Sequence, residues 1–136
     1  MTERTLILVK PDAVRRGLVG ETLGRLERKG LVLLALALRT IDRETAEVHY
    51  AQHLGRDFYP KLIDFITSGP SVAVVAEGER AIEAVRSLWG TTDGVKAAPG
   101  TLRGDYSSSN RENLVHASDS SASADREIGI FFPTLG

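Results

Sequence analysis

Four apolar runs alternate with helix-patterned segments, in the order strand, helix, strand, helices, strand, helix, strand. Two strand–helix–strand halves in this order predict an α/β (α+β) ferredoxin-like sandwich. Its expected form is a four-stranded antiparallel sheet (βαββαβ), with helices on one face and a long loop before the last strand. The chain has 136 residues, 42% of them hydrophobic, and no cysteine, which suits one domain whose core holds without disulfides. Residues 1–136 are therefore expected to form a single domain.

The first strand is the uninterrupted apolar run at 5–10, bounded by Pro11. A run without polar alternation marks a central strand buried on both faces, and Lys10 at its end is unusual there. Gly17 and Gly20 frame a turn into an amphipathic helix at 21–29, where Leu23 and Leu26 share a face and Gly30 supplies the stop. Residues 31–40 give the second strand. Asp42 is placed to cap a helix over 43–53. His49 and His53 are four apart, the spacing of a helical metal pair. Tyr50, however, stands where the zinc-protease pattern needs glutamate, so no protein metal site is expected. A helix over 58–67 carries Leu62, Ile63 and Ile66 and ends at Ser68-Gly69-Pro70. Residues 72–76 form the third strand, and a helix over 79–88 turns Ala81, Ile82 and Val85 inward with Arg86 near its end.

Regular patterning stops over 89–120, where glycines, Pro99 and serines are interspersed with Trp89, Leu102, Tyr106 and Leu114. Apolar anchors of that kind predict an ordered, functional loop. A short helix at 121–127 and a fourth strand at 128–132 complete the pattern.

Several function classes are disfavoured at once. A net charge of −1 argues against non-specific nucleic-acid binding, and the strands lack the aromatic alternation of an RNA-binding sheet. The longest apolar run, 31–38, is too short to span a bilayer, and nothing at the N-terminus resembles a signal peptide. A cytoplasmic protein that binds neither membrane nor nucleic acid is expected. Walker-loop and protein-kinase signatures are missing.

Attention falls on Asn113-Leu114-Val115-His116-Ala117-Ser118-Asp119-Ser120. An imidazole among small residues is reachable by a bulky reactant, and a carboxylate folding back from Glu127 would fix its tautomer. Lys10, Arg86 and Arg103 are phosphate-compatible cations, with hydroxyls at Tyr50 and Thr92 and an aromatic face at Phe58. Imidazole attacks phosphorus well, and cations stabilise a phosphoryl group in flight. A histidine phosphocarrier, which needs no nucleotide pocket, is the alternative on these residues.

The motif Asn113-x-x-His116-Ala117-Ser118-Asp119 resembles the active-site signature of the nucleoside diphosphate kinase family. Lys10-Pro11-Asp12-x-Val14-x-Arg16-Gly17, Ser68-Gly69-Pro70 and Pro99-Gly100-Thr101-Leu102-Arg103-Gly104-Asp105 support the likeness, which runs from Leu6 to Phe132. The resemblance implies transfer of the γ-phosphate of a nucleoside triphosphate to a nucleoside diphosphate, by a ping-pong route through a phosphohistidine. It makes His116 the nucleophile, with Glu127 and Ser118 orienting it and Tyr50 completing the catalytic set. Lys10, Tyr50, Arg86, Thr92 and Arg103 correspond to phosphate-site residues, Phe58 to the aromatic under the base, and Asn113 with Lys10 to contacts of the sugar hydroxyl. It further implies Mg2+ carried by the nucleotide phosphates, and a homo-oligomer, hexamer or tetramer. Two departures stand out. Ala117 replaces a common glycine, and Thr92-Asp93-Gly94 replaces Thr-Asn-Pro in a loop the family uses for subunit contacts.

Overall fold

In the computed structural model, which describes residues 2–135, the chain runs β1 (Thr2–Val9), α1 (Pro11–Arg15), α2 (Val19–Arg28), β2 (Val32–Thr40), α3 (Arg43–His49) and α4 (Tyr59–Ile66). It continues through β3 (Pro70–Glu79), α5 (Ala81–Trp89), α6 (Leu102–Tyr106), β4 (Val115–Ala117) and α7 (Ser121–Phe131). The strands form one sheet in the order β2-β3-β1-β4, with every neighbouring pair antiparallel. This is the ferredoxin-like arrangement expected from the sequence.

β1 is central because Leu6, Ile7, Leu8 and Val9 can be buried on both faces, and all four have no exposed surface. Successive side chains point to opposite sides of a strand. Ile7 and Val9 therefore join Val72, Val74 and Ala76 in one core, under Leu26 of α2 and Ala81, Val85 and Trp89 of α5. Leu6 and Leu8 join Ala73 and Val75 in a second core, under Ala46 of α3, Ile63 and Ile66 of α4, and Ile128 and Phe131 of α7. Helices thus cover both faces, not the single face expected. The extra layer comes from α3 and α4, inserted between β2 and β3, and from α7.

Local signals terminate the helices much as the sequence suggests. Gly30 adopts φ +94° just past α2, and the N–H groups of Gly30 and Leu31 return to the carbonyls of Glu27 and Leu26. That paired closure favours glycine because a Cβ is strained at this φ. Asp42 caps α3 by accepting the Thr45 N–H at 2.7 Å. The predicted helix over 43–53 is nevertheless broken: α3 ends at His49, and Ala51–His53 form a separate 3-10 turn.

The last strand is a correction. Residues 128–132 alternate Ile128, Ile130 and Phe132 like a strand, yet Ile128–Phe131 belong to α7. Ser120 caps that helix by accepting the Ser123 N–H at 3.1 Å, and Ile128 and Phe131, three apart, pack on one helical face. The place beside β1 is taken instead by three residues of the predicted loop, with His116 opposite Leu8. No helix among the described residues is long and apolar enough to cross a membrane.

Candidate active site

β4 is short, but its alternation sets the site. Val115 and Ala117 point into the α2/α5 core, so His116 between them projects to the opposite face, where α3 and α7 lie. At the seventh residue of α7, Glu127 meets it: His116 Nε2 and Glu127 Oε1 are 2.9 Å apart. The Ser118 hydroxyl donates to the same oxygen at 2.7 Å and accepts the Leu6 N–H at 3.2 Å, which ties the carboxylate to β1. Burial pushes the Glu127 carboxyl up, but the bond and charge of His116 and the Ser118 hydroxyl outweigh it and hold it below the ordinary carboxylate range. With Nε2–H donated to an ionised carboxylate, the ring's lone pair belongs to Nδ1.

Three cations converge on the same cleft, whose volume is about 1030 Å³. Lys10, at the end of β1, is buried, and its Nζ donates to Asn113 Oδ1 at 2.9 Å. Burial and then the nearby Arg103 guanidinium push its pKa down to about 8, against a smaller opposing pull from Asp12. Arg103 is held rigidly by carbonyl oxygens: Nε to Asn113 at 3.1 Å, one terminal nitrogen to Gly90 at 3.0 Å, the other to Val115 at 2.6 Å. Burial and then Arg86 lower its pKa to about 10. Arg86 reaches the Ala117 carbonyl at 3.5 Å. The loop carrying Arg103 is itself anchored by Arg25 of α2, which donates to the Gly100 carbonyl and the Asp105 carboxylate, each at 2.9 Å. Carbonyl contacts orient a guanidinium without neutralising it, so Arg103 keeps its charge for an anion, in a cleft whose lining also carries Glu83, Asp119 and Glu127.

Eight of the ten residues singled out by sequence line this cleft: Lys10, Tyr50, Arg86, Thr92, Arg103, Asn113, His116 and Glu127. Ser118 stands behind Glu127, fully buried, and contacts the carboxylate rather than the cleft. Phe58 is not part of the lining. It is 38% exposed at the rim, with its ring 5.4 Å from that of His53, which does line the cleft. Among the described residues the buried Tyr50 hydroxyl has no hydrogen-bond partner, and burial pushes its pKa well above the ordinary phenol value.

Sequence reasoning did not assign His49 to this site. Its ring lies edge-on to His116, centroids 4.9 Å apart at 85°, with Tyr50 and Phe131 on its other sides. Burial, and then the charge of His116, push its pKa down to about 3, so it is neutral near pH 7. The four-residue spacing to His53 pointed the wrong way. The partners that matter are His116 and Glu127, whose ligand atoms and those of His49 all lie within 4.8 Å of one another. Glu127 already serves two donors and cations crowd the cleft, so this trio suits holding a ring and its proton better than holding a metal ion.

An imidazole steadied by a carboxylate beneath converging cations, on a ferredoxin-like sheet, defines a phosphotransferase. The comparisons with known proteins are specific. The family model described as nucleoside diphosphate kinase matches residues 3–135. A nucleoside diphosphate kinase of Frankia casuarinae is 66% identical over 133 residues, covering 98% of this chain and 97% of that one. One of Nocardioides sp. is 62% identical over 135 residues, covering 99% of this chain and 100% of its own. Among solved structures, the Halobacterium salinarum nucleoside diphosphate kinase in complex with CDP superposes with a TM-score of 0.95 at 48% identity, covering 97% of this chain and 88% of that one. The Aquifex aeolicus enzyme gives 0.94 at 41% identity, covering 97% and 96%. The chain belongs to the nucleoside diphosphate kinase family, and its activity is transfer of the γ-phosphate of a nucleoside triphosphate to a nucleoside diphosphate.

Proposed function

We propose that the phosphoryl group crosses between nucleotides on Nδ1 of His116. The observation that carries this reading is the 2.9 Å contact of Nε2 with Glu127, which leaves Nδ1 as the nucleophilic nitrogen. In the first half-reaction the Nδ1 lone pair forms a P–N bond as the bond from the γ-phosphorus to its bridging oxygen breaks. The diphosphate leaves with that electron pair. In the second, a terminal oxygen of an acceptor diphosphate attacks phosphorus and the P–N bond breaks, returning neutral His116. Nε2–H stays on the ring throughout, and the Glu127 charge offsets the positive charge that grows while phosphorus is bound.

Lys10, Arg86 and Arg103 neutralise the phosphates, with the Tyr50 and Thr92 hydroxyls as further donors. Asn113, fixed to Lys10, faces the sugar hydroxyl, and Phe58 at the rim stacks on the base. The CDP complex of the Halobacterium salinarum enzyme supports a nucleoside diphosphate in this cleft. Magnesium fits as a passenger on the phosphates: of the three carboxylates in the lining, Glu127 is engaged by His116 and Ser118 and Glu83 pairs with Arg80, which leaves Asp119. When bound, it offsets charge on the transferring phosphoryl group. The reaction fits the cytoplasm, where nucleotides are interconverted. A homo-oligomer, hexamer or tetramer, is supported by the edge strand β2, which exposes Val32, Leu36 and Leu38 beside an open backbone edge.

The test is incubation with γ-labelled ATP in the absence of acceptor. Acid-labile, base-stable label should appear on the parent and not on His116→Ala, and steady-state kinetics should be ping-pong. Intersecting double-reciprocal plots with no trapped label would sink the reading. A histidine phosphocarrier would instead accept phosphate from donors lacking a base and sugar as readily as from ATP.

A further inference from the structure

Two residues before His116 the backbone is strained. Leu114 has φ +77° and is fully buried, and the Val115 N–H returns to the Asn113 carbonyl at 2.9 Å, closing a γ-turn of the rare positive-φ kind. A branched aliphatic side chain holds such a conformation only where its surroundings impose it. Here they do so from both ends. The Leu114 carbonyl accepts the backbone N–H of Lys10 at 2.9 Å, and the Leu114 N–H is taken by Asp12 Oδ2 at 3.1 Å. Asp12 is 4% exposed and sits in the first turn of α1, which leads out of β1.

Two cations of the cleft are attached to this turn. The Asn113 side chain receives Lys10 Nζ, the Asn113 carbonyl receives Arg103 Nε, and the Val115 carbonyl receives a terminal nitrogen of Arg103. His116 follows. Relaxing Leu114 to negative φ would swing the Asn113 peptide away from both cations.

We propose that Asp12 is a positioning residue for phosphoryl transfer, holding Leu114 in its strained turn so that Asn113 fixes Lys10 and Arg103 and His116 meets the phosphate in line. Its buried carboxylate also lies beside Lys10 and favours that ammonium's charged form, against burial and Arg103. Among the described residues the buried Asp12 Oδ1 has no hydrogen-bond partner, so the side chain is fixed by what Oδ2 and the neighbouring charge contribute.

Single-turnover phosphorylation by saturating γ-labelled ATP tests this, with hydrogen exchange of the Leu114 amide as a second readout. Asp12→Ala should slow phosphorylation by about 100-fold, the scale of a reactant misplaced by about an ångström, and should deprotect the amide. Asp12→Asn keeps an acceptor oxygen for the Leu114 N–H and should recover to within about fivefold of the parent, with the amide protected. A merely structural role would lower the melting temperature but leave the rate at saturation unchanged. The proposal is overturned if Asp12→Ala is phosphorylated within twofold of the parent, or if Asp12→Asn is as slow as Asp12→Ala. Should Asp12→Ala not fold, Asp12→Glu takes its place, since its extra methylene pushes the carboxylate past the amide. It is expected to be slow, and a parental rate overturns the proposal. The inference rests on His116 as the phosphorylated residue. Label on His116→Ala overturns both readings, whereas an unlabelled His116→Ala beside a parent-like Asp12→Ala overturns this one alone.

Discussion

Replacing Glu127 with glutamine separates orientation from charge at the nucleophile. In the parent one oxygen serves two donors, His116 Nε2 at 2.9 Å and the Ser118 hydroxyl at 2.7 Å. An amide oxygen still accepts both, so the ring stays in place and the tautomer is kept. The electrostatic part is lost. Two unit charges at the observed 2.9 Å attract by about 6 kcal/mol at an effective dielectric of about 20. The imidazole carries only part of a charge in the transition state, and the amide dipole recovers some of the attraction. What remains is about 1.4–4 kcal/mol, a 10- to 1,000-fold slower phosphorylation.

The same change should leave nucleotide affinity nearly untouched, because Glu127 contacts the ring and Ser118, both on the protein. Rapid-quench single turnover with labelled ATP gives the rate, and the concentration dependence of that rate gives the affinity. A rate within twofold of the parent would show that the buried carboxylate does not support the nucleophile. A large loss of affinity would show that it acts through the shape of the cleft. Because Glu127 is held below the ordinary carboxylate range, its charge should persist in mild acid.

Lys10, with its pKa near 8, is charged below that pH and loses its charge above it, so its contribution to nucleoside diphosphate affinity should be full near pH 6.5 and fade through pH 9. Calorimetric titration should find this fall in the parent and a flat profile in Lys10→Gln. The sign for stability is opposite. Between about 8 and the ordinary value of 10.5 the unfolded chain binds the proton that folded Lys10 releases, so this residue's contribution to stability rises with pH over that window. Gly94→Ala should destabilise by about 1–3 kcal/mol in urea, because its Cβ would lie 2.2 Å from the Ser107 carbonyl oxygen, a backbone atom with little room to move. An unchanged midpoint would mean the loop shifts freely.

The parts of the fold legible in sequence are those whose burial repeats along the chain. β1 and β3 show as apolar runs because both faces of the sheet are covered, and α2, α4 and α5 show as helical stripes because one face of each is. β4 was not legible. Three residues carry no period, and they form a strand only because Ile7, Leu8 and Val9 lie alongside. The end of α7 was misread because Ile128, Ile130 and Phe132 imitate strand alternation, while the deciding facts, the Ser120 cap and the core under Ile128 and Phe131, are respectively upstream and tertiary. Most of the candidate site was legible because its residue types are chemically unusual for their settings: a lysine ending an apolar strand, a histidine among small residues, an arginine between Leu102 and Gly104. His49 and Asp12 were not. Neither a helical histidine nor an acid in a first turn is out of place, and what makes each matter is a neighbour far off in sequence.

The arrangement of charge suits the cleft to a chain of phosphates. Lys10 is buried and Arg103 half-buried, and the pKa of each is lowered in part by another cation, Arg103 for Lys10 and Arg86 for Arg103. Their hydrogen bonds go to carbonyls and an amide, which direct them but cancel none of their charge. Water would screen this repulsion only at the cost of filling the cleft, whereas a chain of phosphates relieves it at several points together. Part of the relief is gained on binding, which sets affinity. The part gained only as charge redistributes over the transferring group and the bridging oxygen speeds the chemistry. His49 fits the same logic from below. A charged ring there would compete for Glu127, but its burial keeps it neutral, so the carboxylate bonded to His116 is left to balance that ring.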